Sequence, residues 1–316
     1  MTSRRISVVI CAYSEGRWEQ IRAAVDSVRA QSLRADQIIV VVDHNPVLRA
    51  RLAAALPDVT VTENQEARGL SGARNTGIVR SRGEIVAFLD DDAVAEPDWL
   101  KFLSDPYADP SVAGVGGLAK PHWETRRPSW FPDEFDWVVG CAYRGIPRFR
   151  VPVRNLMGCN MSFRREIFET VHGFKDGIGR AAGKRPLGCE ETELCIRIGQ
   201  ACPASVLLFD ERAVVHHLVP SARCRFSYFC SRCFAEGLSK ARVAANVGAQ
   251  DGLSVERRYV RSVLPRGVAR GLAAAVHGDL QGLCRAGAIV AGLAGSAAGY
   301  AAGRANWMVL VRRNHE

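Results

Sequence analysis

The stretch that most constrains this chain is Gly83-Glu84-Ile85-Val86-Ala87-Phe88-Leu89-Asp90-Asp91-Asp92, an apolar run that ends on three carboxylates. Ile85 to Leu89 shows no alternation of polar and apolar residues, which predicts a strand covered on both faces of a parallel sheet. A sheet of that kind offers its ligand site at the carboxyl ends of its strands. Three adjacent acids repel one another there, and a divalent cation relieves the repulsion, because hard cations choose oxygen ligands. A solvated acidic turn or a helix start accounts for the triplet equally well when it is taken alone. The rest of the chain has to decide.

The same unbroken pattern recurs upstream. Ile6 to Ala12 is all apolar or small. Arg4-Arg5 before it imitates a signal peptide, but Glu15 follows and no small-residue cleavage pattern appears, so it reads as a first strand. Trp18, Ile21, Val25 and Val28 then recur at helical spacing to about Gln31. Gln37 to Val42 predicts a second strand ending on Asp43, Pro46 opens a helix through Leu56, and Val59 to Thr62 predicts a third strand. Ser71 caps a helix to about Ser81, after which the acidic strand begins. The first ninety residues thus predict β-α-β-α-β-α-β, a mostly parallel, doubly wound sheet with helices on both faces. Pro97 starts a further helix and Val112 to Leu118 a further strand. From Lys120 to Arg154 regular patterning gives way to Trp123, Trp130, Phe131, Trp137, Tyr143 and Phe149 in a long loop, the usual form of a lid or substrate wall. A helix follows Glu190, Val206 to Phe209 is a late strand with His217 just beyond it, and the remainder predicts helices from about Phe226.

Charge divides the 316 residues into two zones. Residues 1–211 carry 27 basic and 28 acidic side chains, whereas residues 212–316 carry 15 basic and 5 acidic. The basic zone is expected to face something anionic: a membrane surface, nucleic acid or a phosphorylated substrate. Residues 286–303 hold no charge but are mostly Ala and Gly, and Gly295, Gly299 and Gly303 make two overlapping G-x-x-x-G steps. Such steps allow close helix packing, and a packed or interfacial hairpin is favoured over a spanning helix. The lone C-x-x-C of Cys230 and Cys233 lacks a second pair for zinc. The ten cysteines fit a reducing, cytoplasmic setting.

Two motifs are decoys. Gly114-Val115-Gly116-Gly117-Leu118-Ala119 has the letters of a dinucleotide fingerprint but lies late and within a strand. Gly179-Arg180-Ala181-Ala182-Gly183-Lys184 is one residue short of a P-loop, and Arg185 stands where a magnesium-binding hydroxyl is needed. The other signals converge. Asp43 ends a strand where it can accept a hydrogen bond from a base or ribose. Gly69-Leu70-Ser71-Gly72-Ala73-Arg74-Asn75-Thr76-Gly77 opens a helix with small residues, and Arg74 suits a pyrophosphate or base. Asp90-Asp91-Asp92 contains D-x-D, and Glu190-Glu191 precedes a helix far downstream.

In that order and spacing, over about residues 5–222, the chain resembles the family 2 glycosyltransferases with the GT-A nucleotide-diphospho-sugar transferase fold. The carriers are Ile6 to Ser14, the strand ending in Asp43, Gly69 to Gly77, Phe88 to Asp92, Gly158-Cys159-Asn160-Met161 and Glu190-Glu191-Thr192-Glu193-Leu194. The resemblance implies a GT-A catalytic domain over 1–222 and a basic helical C-terminal region over 223–316. It places Ala12, Tyr13, Glu15, Asp43 and Arg74 around the nucleotide, with Asp90 and Asp91 on the nucleotide-sugar. Asp92, and His217 as a further ligand, would hold Mg²⁺ or Mn²⁺. Glu191 would be the catalytic base, with Glu190 the alternative because the family usually reads Glu-Asp there. Trp137 and Asn160 are taken as acceptor-side residues. No Q-x-x-R-W follows the base, which favours a single addition over polymerisation.

A shorter match runs from His217-Leu218-Val219-Pro220 through Arg223, Tyr228, Arg232, Glu236-Gly237 and Ser239-Lys240-Ala241. It is similar to enzymes that glycosylate polyprenyl-phosphate sugars, glucuronosyltransferases among them. Arg223, Arg225, Arg232, Lys240 and Arg242 suit anionic head groups or a lipid phosphate, though a solvated helix face accounts for each singly. The expectation is an inverting, metal-assisted transferase that uses a UDP-sugar on a lipid-linked or cell-envelope glycan. It would act at the inner membrane face and bind no nucleic acid. The alternatives are a sugar-phosphate nucleotidyltransferase and a basic, non-enzymatic nucleic-acid-binding scaffold.

Overall fold

The computed structural model of the chain describes residues 4–179 and 187–313, with side chains as far as Ala305. Most of the P-loop look-alike therefore lies outside the described residues. The chain forms two compact units, one of residues 1–120, 147–184 and 190–217, the other of residues 121–146, 185–189 and 218–316.

In the first unit β1 (Ile6–Ala12), α1 (Trp18–Arg29), β2 (Gln37–Val42), α2 (Pro46–Ala55), β3 (Thr60–Glu63), α3 (Leu70–Arg80) and β4 (Ile85–Asp90) follow one another in the predicted order. β5 (Ala93–Ala95), α4 (Trp99–Ser104), β6 (Val112–Trp123), β7 (Val151–Pro152), β8 (Asn160–Arg164), α5 (Ile167–Val171), α6 (Glu190–Ala201) and β9 (Val206–Val219) complete it, apart from the last residues of β6 and β9, which are counted with the second unit. The sheet order is β3-β2-β1-β4-β8-β6-β9-β5, with β7 on β9. β1 pairs in parallel with β2 and β4, and β2 with β3. Beyond β4 the described pairings turn antiparallel, β8 with β4 and β6, and β9 with β5 and β7. "Mostly parallel" thus describes the N-terminal half of the sheet.

The absence of alternation has a direct cause. Val8 and Ile10 pack on one face with Ile21, Val25 and Val28 of α1 and Leu48 and Leu52 of α2. Val9 packs on the other face with Ile39, Val41, Val86 and Phe88. The positions of such a strand are interior, so they are apolar apart from Ser7, whose hydroxyl donates to the Gln37 side chain at 2.9 Å.

Two strands outrun their expected ends. β9 continues through Asp210, Glu211 and Arg212 to Val219, which puts His217 inside the strand instead of after it. The Asp210 carboxylate accepts from Arg150 at 3.0 Å and from Arg212 at 2.7–2.9 Å, so the charged interruption is neutralised locally while Ala213 and Val215 stay buried. β6 runs to Trp123 and contains the dinucleotide look-alike. A Cβ on Gly117 would overlap the Ala213 carbonyl, so close strand packing accounts for that glycine.

The second unit holds α7 (Phe226–Val247), α8 (Ala249–Gly252), α9 (Ser254–Arg258), α10 (Leu264–Val276) and α11 (Gln281–Arg313). Phe131, Phe135, Val138 and Val139 of the aromatic loop share one core with Phe229 and Cys233 of α7, Leu264 of α10 and Ile289 of α11. Phe131, Phe135 and Trp130 each stand 5.2–5.6 Å from the Phe229 ring, the spacing of favourable aromatic pairs. This shared core groups residues 121–146 with the C-terminal helices, a division different from a boundary at 222. The G-x-x-x-G stripe of α11 faces α7, where a Cβ on Gly299 would overlap the Phe234 carbonyl. Among the described residues α11 is the one helix long and apolar enough, over Gln281–Ala305, to cross a membrane.

Candidate active site

Strand register builds the acidic centre. β4 delivers Asp90 at its carboxyl end, and the turn to β5 carries Asp91 and Asp92. The β5–β9 ladder sets Ala93 opposite His217, which brings the imidazole Nε2 to 3.2 Å from Asp92 Oδ1. Asp90, Asp92 and His217 each offer one ligand atom, all within 4.8 Å of one another. The Asp91 carboxylate is held by the Arg17 guanidinium, whose Nη1 also lies 3.2 Å from Asp92 Oδ2. Asp91 Oδ2 is buried with no hydrogen-bond partner among the described residues. Burial pushes the Asp91 carboxyl up to about 7, against the pull of Arg17. Crowded carboxylates, one imidazole and an orphaned carboxylate oxygen fit a divalent cation of the Mg²⁺ or Mn²⁺ kind.

An acidic pair, Glu190 and Glu191, stands beside this cluster. Arg74 on α3 is only 2% exposed. Its Nη1 donates to Glu190 Oε1 at 2.8 Å, and its Nη2 to the Gly158 carbonyl at 2.9 Å and Asp90 at 3.3 Å. One guanidinium therefore joins the D-x-D strand end to the glutamates that open α6. A Cβ on Gly158 would lie 3.1 Å from Arg74 Nη2 and 3.6 Å from Glu191 Oε2, which places the Glu191 carboxylate at the same spot. The two glutamates differ. Glu190 is buried and ion-paired to Arg74, whereas Glu191 is half-buried and accepts from the Thr192 hydroxyl at 3.1 Å. Acids suit this helix start because the backbone dipole favours negative charge there.

The expected nucleotide side lies along the ends of β1 and β2. Ala12 closes β1 and is buried, Tyr13 is 48% exposed, and Glu15 is exposed at the start of a single 3₁₀ turn capped by Ser14. Asp43 is buried and accepts from the Gly69 backbone N–H at 3.1 Å and the Asn64 amide at 2.8 Å, so it ties β2 to the start of α3. Arg74 sits differently from expectation, since its terminal nitrogens are spent inside the protein. Asn160 is fully buried: it accepts from the Trp99 indole at 2.7 Å and donates to the Ala213 carbonyl at 2.9 Å and the Leu118 carbonyl at 3.2 Å. That side chain joins strands, and its amide is spent inside the sheet and not on an acceptor. Trp137 belongs to the second unit, where its indole donates to the Tyr259 hydroxyl at 3.2 Å. Sequence reasoning missed Arg17 and Asn64. Their partners lie 74 and 21 residues away, and no local pattern marks such a pair.

A sheet of this order, with a D-x-D strand end beside a glutamate pair, defines a GT-A glycosyltransferase. The model of the glycosyl transferase family 2 matches residues 7–171, more than half of the chain, and the chain belongs to that family. It is 38% identical over 240 residues to the glucosyl-dolichyl phosphate glucuronosyltransferase of Haloferax volcanii, covering 75% of this chain and 76% of that protein. It is 25% identical over 249 residues to the succinoglycan biosynthesis protein ExoM of Rhizobium meliloti, covering 76% and 75%. Among solved structures it is similar to the mannosyltransferase PcManGT from Pyrobaculum calidifontis in complex with GDP-Man and Mn²⁺. The TM-score is 0.59 at 19% identity, over 94% of this chain and 88% of that one. GalNAc-T7 with UDP, GalNAc and Mn²⁺ gives a TM-score of 0.56 at 15% identity, over 83% and 58%. Family membership replaces the nucleotidyltransferase and the non-enzymatic scaffold as readings of this chain.

Proposed function

We propose that this glycosyltransferase moves one sugar from a UDP-sugar to a hydroxyl of a lipid-linked or cell-envelope glycan, with inversion at the sugar carbon. The observation that carries the reading is the single guanidinium of Arg74 standing between Asp90 and Glu190, with Glu191 alongside. It keeps a diphosphate-handling centre and a proton-accepting centre within reach of one substrate. Asp90, Asp92 and His217 would hold a divalent cation, which when bound supplies neutralisation of the charge that builds on the leaving diphosphate. Glu191 takes the proton of the incoming hydroxyl, which is a poor nucleophile until it is deprotonated. The hydroxyl oxygen bonds to the anomeric carbon from the face opposite the diphosphate, and one displacement inverts that carbon. Glu190, held by Arg74 as a fixed carboxylate, is the alternative base. Asp43, Tyr13 and Glu15 line the expected nucleotide side.

The acceptor class draws support from the Haloferax relative, whose name describes glucuronate transfer to glucosyl-dolichyl phosphate. The second unit suits a peripheral position at the cytoplasmic membrane face. It exposes Leu272, Val276, Leu280 and Leu283 near the α10–α11 turn, on the basic part of the chain. The test is a panel of UDP- and GDP-sugars with Mn²⁺ or Mg²⁺ and a short-chain prenyl-phosphate sugar, reading nucleoside diphosphate release and product anomer. Acceptor-dependent UDP release with inversion is expected. Release from GDP-sugars alone, or full activity in EDTA, overturns the donor or the metal assignment.

A further inference from the structure

Of the five cationic side chains that the sequence offers to an anion in the basic region, Arg232 has an unusual setting. It sits on α7 within the second unit and is 8% exposed. Its Nη2 lies 3.1 Å from Glu236 Oε2, one helical turn on. Its Nε and Nη1 are buried with no hydrogen-bond partner among the described residues. A buried guanidinium that leaves two donors unmade is costly, because each N–H has given up water and gained nothing. Guanidinium groups are chosen where an oxyanion is to be held by directed N–H donors.

The surroundings are built around that group. The Gly188 backbone passes directly over it, and a Cβ there would lie 3.0 Å from Arg232 Nη2. Ser239 fixes the passage by accepting from the Gly188 N–H at 3.1 Å, while its hydroxyl donates to the Ala235 carbonyl at 3.0 Å. Glu236 does not neutralise Arg232 alone. Its Oε1 accepts from the Cys189 thiol at 3.1 Å and lies 3.6 Å from Lys240 Nζ. One acid is thus shared by two cations, with Glu256 on Lys240 at 2.7 Å.

We propose that Arg232 binds a phosphoryl oxyanion of the lipid-linked acceptor through Nε and Nη1. This deepens the reading of the acceptor given above and rests on it. A phosphate or diphosphate ester carries several charged oxygens, so it offers an acceptor to more than one guanidinium nitrogen. A single carboxylate has fewer. The same unit exposes apolar side chains near the α10–α11 turn, chemistry that suits the prenyl part of such a molecule.

The test uses the full chain in calorimetric titrations with geranyl phosphate, inorganic pyrophosphate and UDP. The wild type is expected to bind geranyl phosphate. Arg232→Gln is expected to weaken it by about tenfold or more, the loss of a charge-assisted hydrogen-bond pair, with UDP affinity unchanged. Glu236→Gln removes the competing carboxylate and is expected to tighten geranyl phosphate several-fold, an effect of opposite sign that a merely structural ion pair does not predict. Equal binding of geranyl phosphate by wild type and a folded Arg232→Gln overturns the site. Should Arg232→Gln not fold, Glu236→Gln decides, and unchanged or weaker binding overturns it. Loss of pyrophosphate alone, with geranyl phosphate bound by neither protein, overturns the lipid acceptor while leaving an anion site. Loss of UDP in Arg232→Gln assigns the residue to the donor and overturns the acceptor role.

Discussion

Two buried arginines, one in each compact unit, are set in opposite ways. Arg74 in the first unit spends both terminal nitrogens on Glu190, Asp90 and the Gly158 carbonyl. Arg232 in the second spends one nitrogen on Glu236 and leaves two donors unmade. A cation whose partners are all internal is a strut, and its value is the geometry of the acids around it. A cation with buried unmade donors holds binding capacity in reserve. On the two proposals above, the first unit would hold a preorganised reaction centre and the second would receive an anion.

The sharpest way to break this contrast is to remove the strut. Arg74→Met leaves Glu190 and Asp90 without their shared cation and is expected to destabilise the fold by roughly 3–5 kcal/mol, the cost of stranding a buried charge. Arg74→Met combined with Glu190→Gln should recover much of that loss, which thermal or denaturant unfolding would show. If the single variant melts like the wild type, Arg74 is not structural and its expected nucleotide contact returns.

Next in size is the base. Glu191→Gln is expected to lower turnover by on the order of 10²–10⁴-fold with donor affinity retained. Glu190→Gln should act mainly through stability. A reversal of the two in steady-state kinetics and UDP binding would assign the base to Glu190.

Asp92→Ala follows. It should abolish the stimulation by added Mn²⁺ and lower turnover by at least about a hundredfold, since charge neutralisation at a leaving phosphate contributes several kcal/mol. Metal-dependent rates equal to wild type would remove Asp92 from the ligand set.

The smallest effect concerns pH and the second unit. Burial raises the Asp136 carboxyl from its ordinary 3.8 to about 6, with Arg127 opposing the shift. The folded state therefore holds the Asp136 proton more tightly than the unfolded chain does. The stability this group contributes is fully present below pH 3.8 and is lost as pH rises through about 6. Asp136→Asn should flatten that part of the stability profile between pH 4 and 6, measured by melting temperature. An unchanged slope would mean that Arg127 dominates after all.

Much of the sheet and of the acidic cluster was legible in the sequence. The runs Ile6 to Ala12, Ile38 to Val42 and Ile85 to Leu89, apolar but for Ser7, announced parallel strands, because a strand buried on both faces displays few polar positions. The acids at the end of β4, the small-residue start of α3 and the glutamates opening α6 marked the rest in order. Less legible was β9, where Asp210 to Arg212 interrupts the apolar pattern although the strand continues. Its charges are cancelled by Arg150 and Arg212, and one of those partners is 60 residues away.

The amino-acid sequence by itself determined which segments are interior and where negative charge accumulates, since both follow from local composition and periodicity. Only the tertiary structure decided which charges meet. It set Arg17 against Asp91, His217 against Asp92 and Arg74 between Asp90 and Glu190. It also turned the aromatics expected as a lid into a core with α7, α10 and α11. Such pairings depend on strand register and helix packing between residues as far apart in the chain as Asp92 and His217, and a side chain carries no mark of a partner that distant until the backbone between them has folded.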